Sequence, residues 1–242
     1  MANIISLGSL YIDDQAVESG KPYTPGKKIG IGRSDSHPIQ WVMVNGALIA
    51  NRVLLTYVSW DDLDAHGFAT GREIVLDGIR CFCRLLQVGD NDGVPNEWDA
   101  ALAATNDDSD ELWHYSNCAF WGADTPAHKS KTTRVLRGGT ECPREWDCEA
   151  SWHRYQDIGF RPALELVRDF KPLVVGTRLA VWSKESLITG TLSECTGYDL
   201  IFSHVTRSCI SDRDRNRFMA AESNNRVIVN QSGLVGVQMM GK

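Results

Sequence analysis

The chain has 242 residues, 43% of them hydrophobic, and a formal net charge of -6 at pH 7. That length supplies one large core or two modest ones. The acidic balance lacks the basic footprint of non-specific nucleic-acid binding, and no apolar run approaches the roughly 20 residues of a membrane span, so neither nucleic acid nor membrane is an expected partner.

The N-terminal run MANIISLGSLYIDD has neither the basic region nor the long apolar stretch of a signal peptide. Seven cysteines at irregular spacing, without such a signal, predict reduced thiols in a cytoplasm.

In chain order, Ile4–Leu10 reads as a strand and Tyr23-Thr24-Pro25-Gly26 as a turn. The loop Lys27–Pro38 contains Gly30-Ile31-Gly32, but no lysine follows at phosphate-loop spacing. Ile39–Val44 and Arg52–Ser59 read as a strand pair. Asn45-Gly46 between them is a hairpin signal, within a connection longer than two residues. Glu73–Leu76 and Arg80–Val88 form the next pair, reversing at Asp77-Gly78. Cys81 and Cys83 share one strand face and read as small buried hydrophobes rather than zinc ligands.

The loop Gly89–Gly93 carries acidic oxygens of the kind calcium wants. Asn96, with Asp99 three residues on and AALAA following, reads better as the cap of a helix. Asn106–Glu111 is an acidic loop. Seven of the eight tryptophans fall between Trp41 and Trp152, and most are expected in the core. His114 and His128 stand alone and read as structural groups.

The most informative stretch is Arg134–Leu166. Val135 and Leu136 lead into Gly138-Gly139, a sharp bend or close backbone approach. After Gly159 the chain alternates, with Phe160, Pro162, Leu164 and Leu166 on one face and Arg161, Ala163 and Glu165 on the other. Between these ends lies a polar segment bearing Trp146, Trp152, His153 and Tyr155. This pattern, R-V-x-R-G-G … G-F-R-P-x-L-E-L, resembles the formylglycine-generating-enzyme-like branch of the C-type lectin fold. It is also similar to phage and prophage proteins on that scaffold, including the tropism-determinant receptor binders. The resemblance is best over Glu97–Leu166. It implies that Gly138, Gly139, Gly159, Phe160 and Arg161 are structural, with Arg161 tying loops by several hydrogen bonds. It also implies that Thr140–Asp157 is an irregular binding face.

A change of character comes at Arg168–Pro172. Beyond it short strands follow: Arg178–Trp182, Leu187–Ser193, Tyr198–His204, Arg226–Val229 and Leu234–Met239. The runs RLAVWSKESLITGTLSECTGYDLIFSHV and NNRVIVNQSGLVGVQ resemble an Sm-type or SH3-like barrel. The mixed charges of Ser211–Arg217 read as a solvated loop.

The expected fold is therefore α+β and mostly β with few helices. Residues 1–167 form a C-type-lectin-like domain and residues 168–242 a small β-barrel. No phosphate loop, H-E-x-x-H or G-x-S-x-G is present, and no catalytic residue, metal or cofactor is assigned. Cys142 and Cys148 lie where the resemblance would put copper-holding thiols, one residue off its spacing, so a copper-dependent oxidase is a lesser alternative. His153 with Glu149 and Asp157 is a trio common in polar loops without catalysis. The leading reading is a non-enzymatic binder, of phage or prophage origin by resemblance, which implies a bacterial cytoplasm or a virion as its place. It uses Glu141, Arg144, Trp146, Asp147, Trp152, His153 and Tyr155 to recognise a host protein or glycan. The other readings are an inhibitor of an intracellular host defence protein and a nucleic-acid-binding barrel. The bland alternative is that Trp152 and Tyr155 pack under the loop. Strand edges in the barrel are compatible with a homo-oligomer.

Overall fold

A computed structural model describes residues 2–139, 142–222 and 224–241. The first part of the chain gives β1 (Asn3–Ile12), β2 (Gln15–Val17), β3 (Lys21–Pro22), β4 (Ile29–Gly32), β5 (Pro38–Val44), β6 (Ala47–Ala50), β7 (Leu55–Thr56), α1 (Trp60–Ala65), β8 (Arg72–Leu76) and β9 (Ile79–Leu85). Then come α2 (Glu97–Thr105), α3 (Asp110–Trp113), β10 (Ala119–Trp121), β11 (Thr133–Arg137), β12 (Trp146–Ala150), β13 (Ile158–Phe160) and β14 (Pro162–Leu166). The last part holds β15 (Arg178–Trp182), β16 (Leu187–Cys195), β17 (Asp199–Cys209), β18 (Met219–Glu222), β19 (Arg226–Asn230) and β20 (Gly236–Met239). The protein is mostly β, and among the described residues no helix is long and apolar enough to cross a membrane.

Three sheets result. The first runs β2-β1-β5-β6-β14-β9-β8, with β4 also on β1; the second runs β12-β11-β10-β13-β7-β3; the third runs β18-β19-β17-β16-β15-β20. The partner of β5 is β6, not the Arg52–Ser59 stretch. Val44 pairs with Ala47, so Asn45-Gly46 is a two-residue turn with φ of 53° and 83°. Two positive φ values give the turn the twist of the flanking strands, and that sets the register. Of Arg52–Ser59 only Leu55–Thr56 is strand, while Ser59 instead caps α1.

The G-F-R-P stretch changes sheets at one residue. β13 lies in the second sheet between β10 and β7, and β14 lies in the first between β6 and β9. Arg161 is the hinge of that crossing.

Side-chain alternation divides the interior into three clusters. Ile5, Trp41, Met43, Leu48, Trp121 and Leu164 belong to the first, on one side of the first sheet. Val42, Val44, Ile49 and Ala163, one residue out of step, face a second cluster with Trp98, Trp113 and Phe120. In the third sheet Leu179 and Val181 face a cluster with Ile188, Phe202 and Val229. Ala180 and Trp182, the alternate residues of the same strand, join the first cluster. The third sheet is thus packed on the first part of the chain across the 167/168 boundary. Fully buried Gln238 completes the joint, accepting from Arg80 N–H and donating to the carbonyls of Arg80 and Val167. The ends of the third sheet's hydrogen-bonded order are β18 and β20.

Candidate functional site

From Cys142 on, the stretch between the glycine pair and G-F-R has a turn at Pro143-Arg144, then a strand, then a loop. Glu145 N–H donates to the Cys142 carbonyl, and Gly138 N–H donates to the Glu145 carbonyl. From there W-D-C-E-A pairs with T-R-V-L-R, Cys148 opposite Val135 and Ala150 opposite Thr133. The expected irregular face therefore has a regular edge strand, β12, in its middle, because its five residues alternate against those of β11. Gly138 has φ of 73°, and a Cβ on Gly139 would come within 2.4 Å of a Glu145 carboxylate oxygen. The left-handed backbone of Gly138 favours glycine as the chain leaves β11, whereas the Glu145 carboxylate beside Gly139 is the movable end of a side chain.

Beyond β12 the loop is fastened by backbone bonds. Asp61 N–H donates to the Ser151 carbonyl, Tyr57 N–H to that of Tyr155, and Ala119 N–H to that of Asp157. Arg154 adds a bidentate contact, its Nε and Nη2 donating to the two carboxylate oxygens of Asp62 at 2.7 and 2.8 Å. Asp62 also closes the capping box of α1 with Ser59. Burial alone would raise the Asp62 pKa, but Arg154 and the Ser59 hydroxyl and N–H more than offset it and hold the carboxyl below the ordinary range. A carboxylate with a lowered folded pKa stabilises the fold above its unfolded pKa of about 3.9, and this contribution fades as pH falls through the folded value. Asp62→Asn should therefore lower the thermal midpoint at pH 7 and much less at pH 2.5. Equal losses at both pH values would remove the ion pair from the account.

On this footing the loop shows its aromatics. Trp152 is 52% exposed and Tyr155 41% exposed. His153 stands between them edge to face, with ring centroids 5.7 Å from Trp152 and 5.5 Å from Tyr155. Its Nδ1 lies 2.9 Å from Glu149 Oε1 and 3.2 Å from the Tyr155 hydroxyl. A carboxylate only accepts, so Nδ1 carries the proton toward Glu149.

The other expected contact residues are placed elsewhere. Exposed Arg144 points to Asp99, 3.4 Å away. Trp146 is half buried against the second cluster, and its Nε1 donates to the Gly89 carbonyl at 3.4 Å. Asp147 is exposed on β12. Glu141 and Thr140 lie outside the described residues. The structure thus gathers Trp152, His153 and Tyr155, with Glu149, and turns Arg144 and Trp146 toward the side of α2.

Around the loop the structure brings Asn117 and Cys118 beside residues already expected there. A cleft of about 270 Å³ opens beside the glycine pair, lined by Asn117, Cys118, Gly138, Glu145, Asp147 and Asp157 among others. It exists because β10 and β13 pair in parallel, Ala119 opposite Ile158. Such a pairing between distant segments leaves no local trace in a sequence. Cys142 is exposed and Cys148 half buried, both as free thiols. Among the described residues no three His, Cys, Asp or Glu side chains converge as metal ligands. Asp99, expected at the cap of the helix that follows the Gly89–Gly93 loop, is engaged by buried Arg137 and by the Asn96 cap. No protein-family profile, curated protein or solved structure matches the chain at a significant level.

Proposed function

We propose that this protein is a non-enzymatic binder that recognises a macromolecule, a host protein or a glycan, through the loop following β12. The observation that carries this reading is the exposed row Trp152-His153-Tyr155, held on a loop fastened by Arg154 and Asp62. Large aromatics left open to water forgo apolar burial unless a partner covers them. Trp and Tyr offer rigid contact area with few torsions to order. Fixing the loop beforehand lowers the entropy lost on binding. The C-type-lectin-like description of residues 1–167, the barrel description of 168–242 and a phage or prophage origin go with this proposal. They are supported by the resemblance carried by the Gly-Gly and Gly-Phe-Arg brackets and by the antiparallel strands of the third sheet.

The test compares wild type with Trp152→Ala/Tyr155→Ala, immobilised, for capture of proteins from bacterial lysate and for glycans on an array. Both side chains are surface groups, so circular dichroism should be unchanged. Each exposed anchor is expected to contribute about 2 kcal/mol, roughly thirtyfold in Kd. Equal retention of a saturable partner by both proteins would move the binding face off this loop.

A further inference from the structure

β12 is the terminal strand of the second sheet, and no residue in it is buried. The bonds from Gly138 N–H to the Glu145 carbonyl and from Ser151 N–H to the Thr132 carbonyl fix which of its residues face β11. Asp147 and Glu149 share that parity, so the backbone groups of Trp146, Cys148 and Ala150 point outward. An open edge of this kind is a template for another strand. Here two of the three outward donors, those of Cys148 and Ala150, are taken from within. Cys148 N–H donates to Asp147 Oδ1 at 2.7 Å, and Ala150 N–H donates to Glu149 Oε1 at 2.7 Å. The Ala150 carbonyl accepts from His153 N–H at 3.0 Å.

We propose that the outer edge of β12 is a latent docking edge for a second copy of this chain, held shut by Asp147 and Glu149. The occupant follows from the register. A second β12 added antiparallel about a two-fold axis through Cys148 pairs Cys148 with itself and Trp146 with Ala150. It also sets Asp147 directly opposite Glu149 of the other copy, twice. Side chains directly opposite stand about 5 Å apart, and like charges there repel. The two carboxylates therefore act together, covering the Cys148 and Ala150 donors that self-pairing needs and opposing each other across the two-fold. Other sheet ends are closed differently. β3 ends in Pro22, which has no N–H, and β20 is covered by Asp169, whose N–H donates to the Val237 carbonyl and whose carboxylate accepts from Met239 N–H. This proposal does not depend on partner recognition by Trp152 and Tyr155.

Asp147→Lys tests it. The substitution uncovers Cys148 N–H and converts both like-charge pairs into Lys–Glu pairs. The variant should be dimeric by size-exclusion chromatography with light scattering at micromolar concentration, while wild type is monomeric through this edge. Raised salt should weaken the dimer. Joining two Cys148 thiols releases two electrons and two protons, so an added oxidant is needed to trap the pair, and burial, which holds this thiol above its ordinary range, slows the step by keeping it protonated. Opposed residues of a hydrogen-bonded antiparallel pair have Cα atoms about 5.5 Å apart, within disulfide reach. Oxidised Asp147→Lys should thus give a covalent dimer that Asp147→Lys/Cys148→Ser does not, although the latter still associates. Asp147→Lys/Glu149→Lys restores like charges and should return to monomer. Glu149→Lys alone, the mirror substitution, should dimerise as Asp147→Lys does and stands in if that variant folds poorly. Monomeric behaviour of both single variants with native circular dichroism, or equal dimerisation of the double variant, would overturn the proposal.

Discussion

Gly159→Ala should strongly destabilise the folded protein. Gly159 sits in the middle of the second sheet, opposite Thr56 of β7 and Phe120 of β10. An added Cβ would lie 2.1 Å from the Leu55 carbonyl oxygen and 2.4 Å from Val53 Cγ1. The valine could turn aside, but the carbonyl belongs to the neighbouring strand's backbone and cannot. The strain is steric and not conformational, since Gly159 is not in the left-handed region. Overpacking commonly costs about 1–3 kcal/mol, and forcing two strand backbones apart belongs in the rarer range above about 4. For a chain of this size that corresponds to a fall in Tm of roughly 10 °C or more. Gly197→Ala is the control, because nothing lies within 4 Å of its added Cβ and its φ is ordinary. Thermal melts of the two variants should differ sharply. A Gly159→Ala melt within a few degrees of wild type would mean that β13 and β7 are not packed as described.

Much of the β framework is visible in the residues because local rules and tertiary packing agree there. β15 is Arg178–Trp182 by alternation and by structure, and Asn96 caps α2 with Asp99 at the expected spacing. Where the reading went astray, a long-range pairing overrode a local signal. Val53-Leu54-Leu55 is an apolar run that looks like a strand, yet Val53 and Leu54 are buried in a connection between sheets. Ala47–Ala50 has weaker strand propensity but inherits its pairing from the tight turn at Asn45-Gly46. α1 was hidden because its cap, Ser59, with Asp62 three residues on, fell inside the stretch read as strand. β18 was hidden beside the charged run before it.

The site was legible to a similar degree. Trp152, His153 and Tyr155 are neighbours in the chain, so their proximity needed no fold. The inward turn of Trp146 and the hold of Arg154 on Asp62 depend on elements far back in the chain, Gly89 lying 57 residues before Trp146 and Asp62 lying 92 before Arg154. Adjacency is written in sequence, but the direction in which a side chain leaves an edge strand is decided by what the rest of the fold puts on either side.

Arg161→Lys should destabilise the protein almost as much as Arg161→Ala, by about 3–5 kcal/mol. The guanidinium is fully buried where the chain crosses from β13 to β14. Nη1 donates to the Ala50 carbonyl at 3.2 Å, and Nη2 donates to those of Trp113 and His114 at 2.8 and 3.2 Å. Its Cζ lies 5.0 Å from the Trp98 ring and 5.1 Å from that of Phe120. Burial pushes its pKa down to about 9, so the charge itself opposes folding at neutral pH. The sign follows from linkage, because the unfolded chain holds this proton more tightly and the penalty is full below the folded pKa. What keeps the arginine there is the planar fork, which reaches the end of β6 and the end of α3 at once while its faces rest on aromatic rings. A lysine brings the same charge into the same interior as a more strongly hydrated point. It cannot span the three carbonyls, each of which costs about 1–3 kcal/mol if left without a donor. Urea midpoints with unchanged slope should show the loss, and hydrogen exchange should quicken first in α3, which loses its link to β6. A lysine variant within about 1 kcal/mol of wild type would show that charge at this position matters and the fork does not.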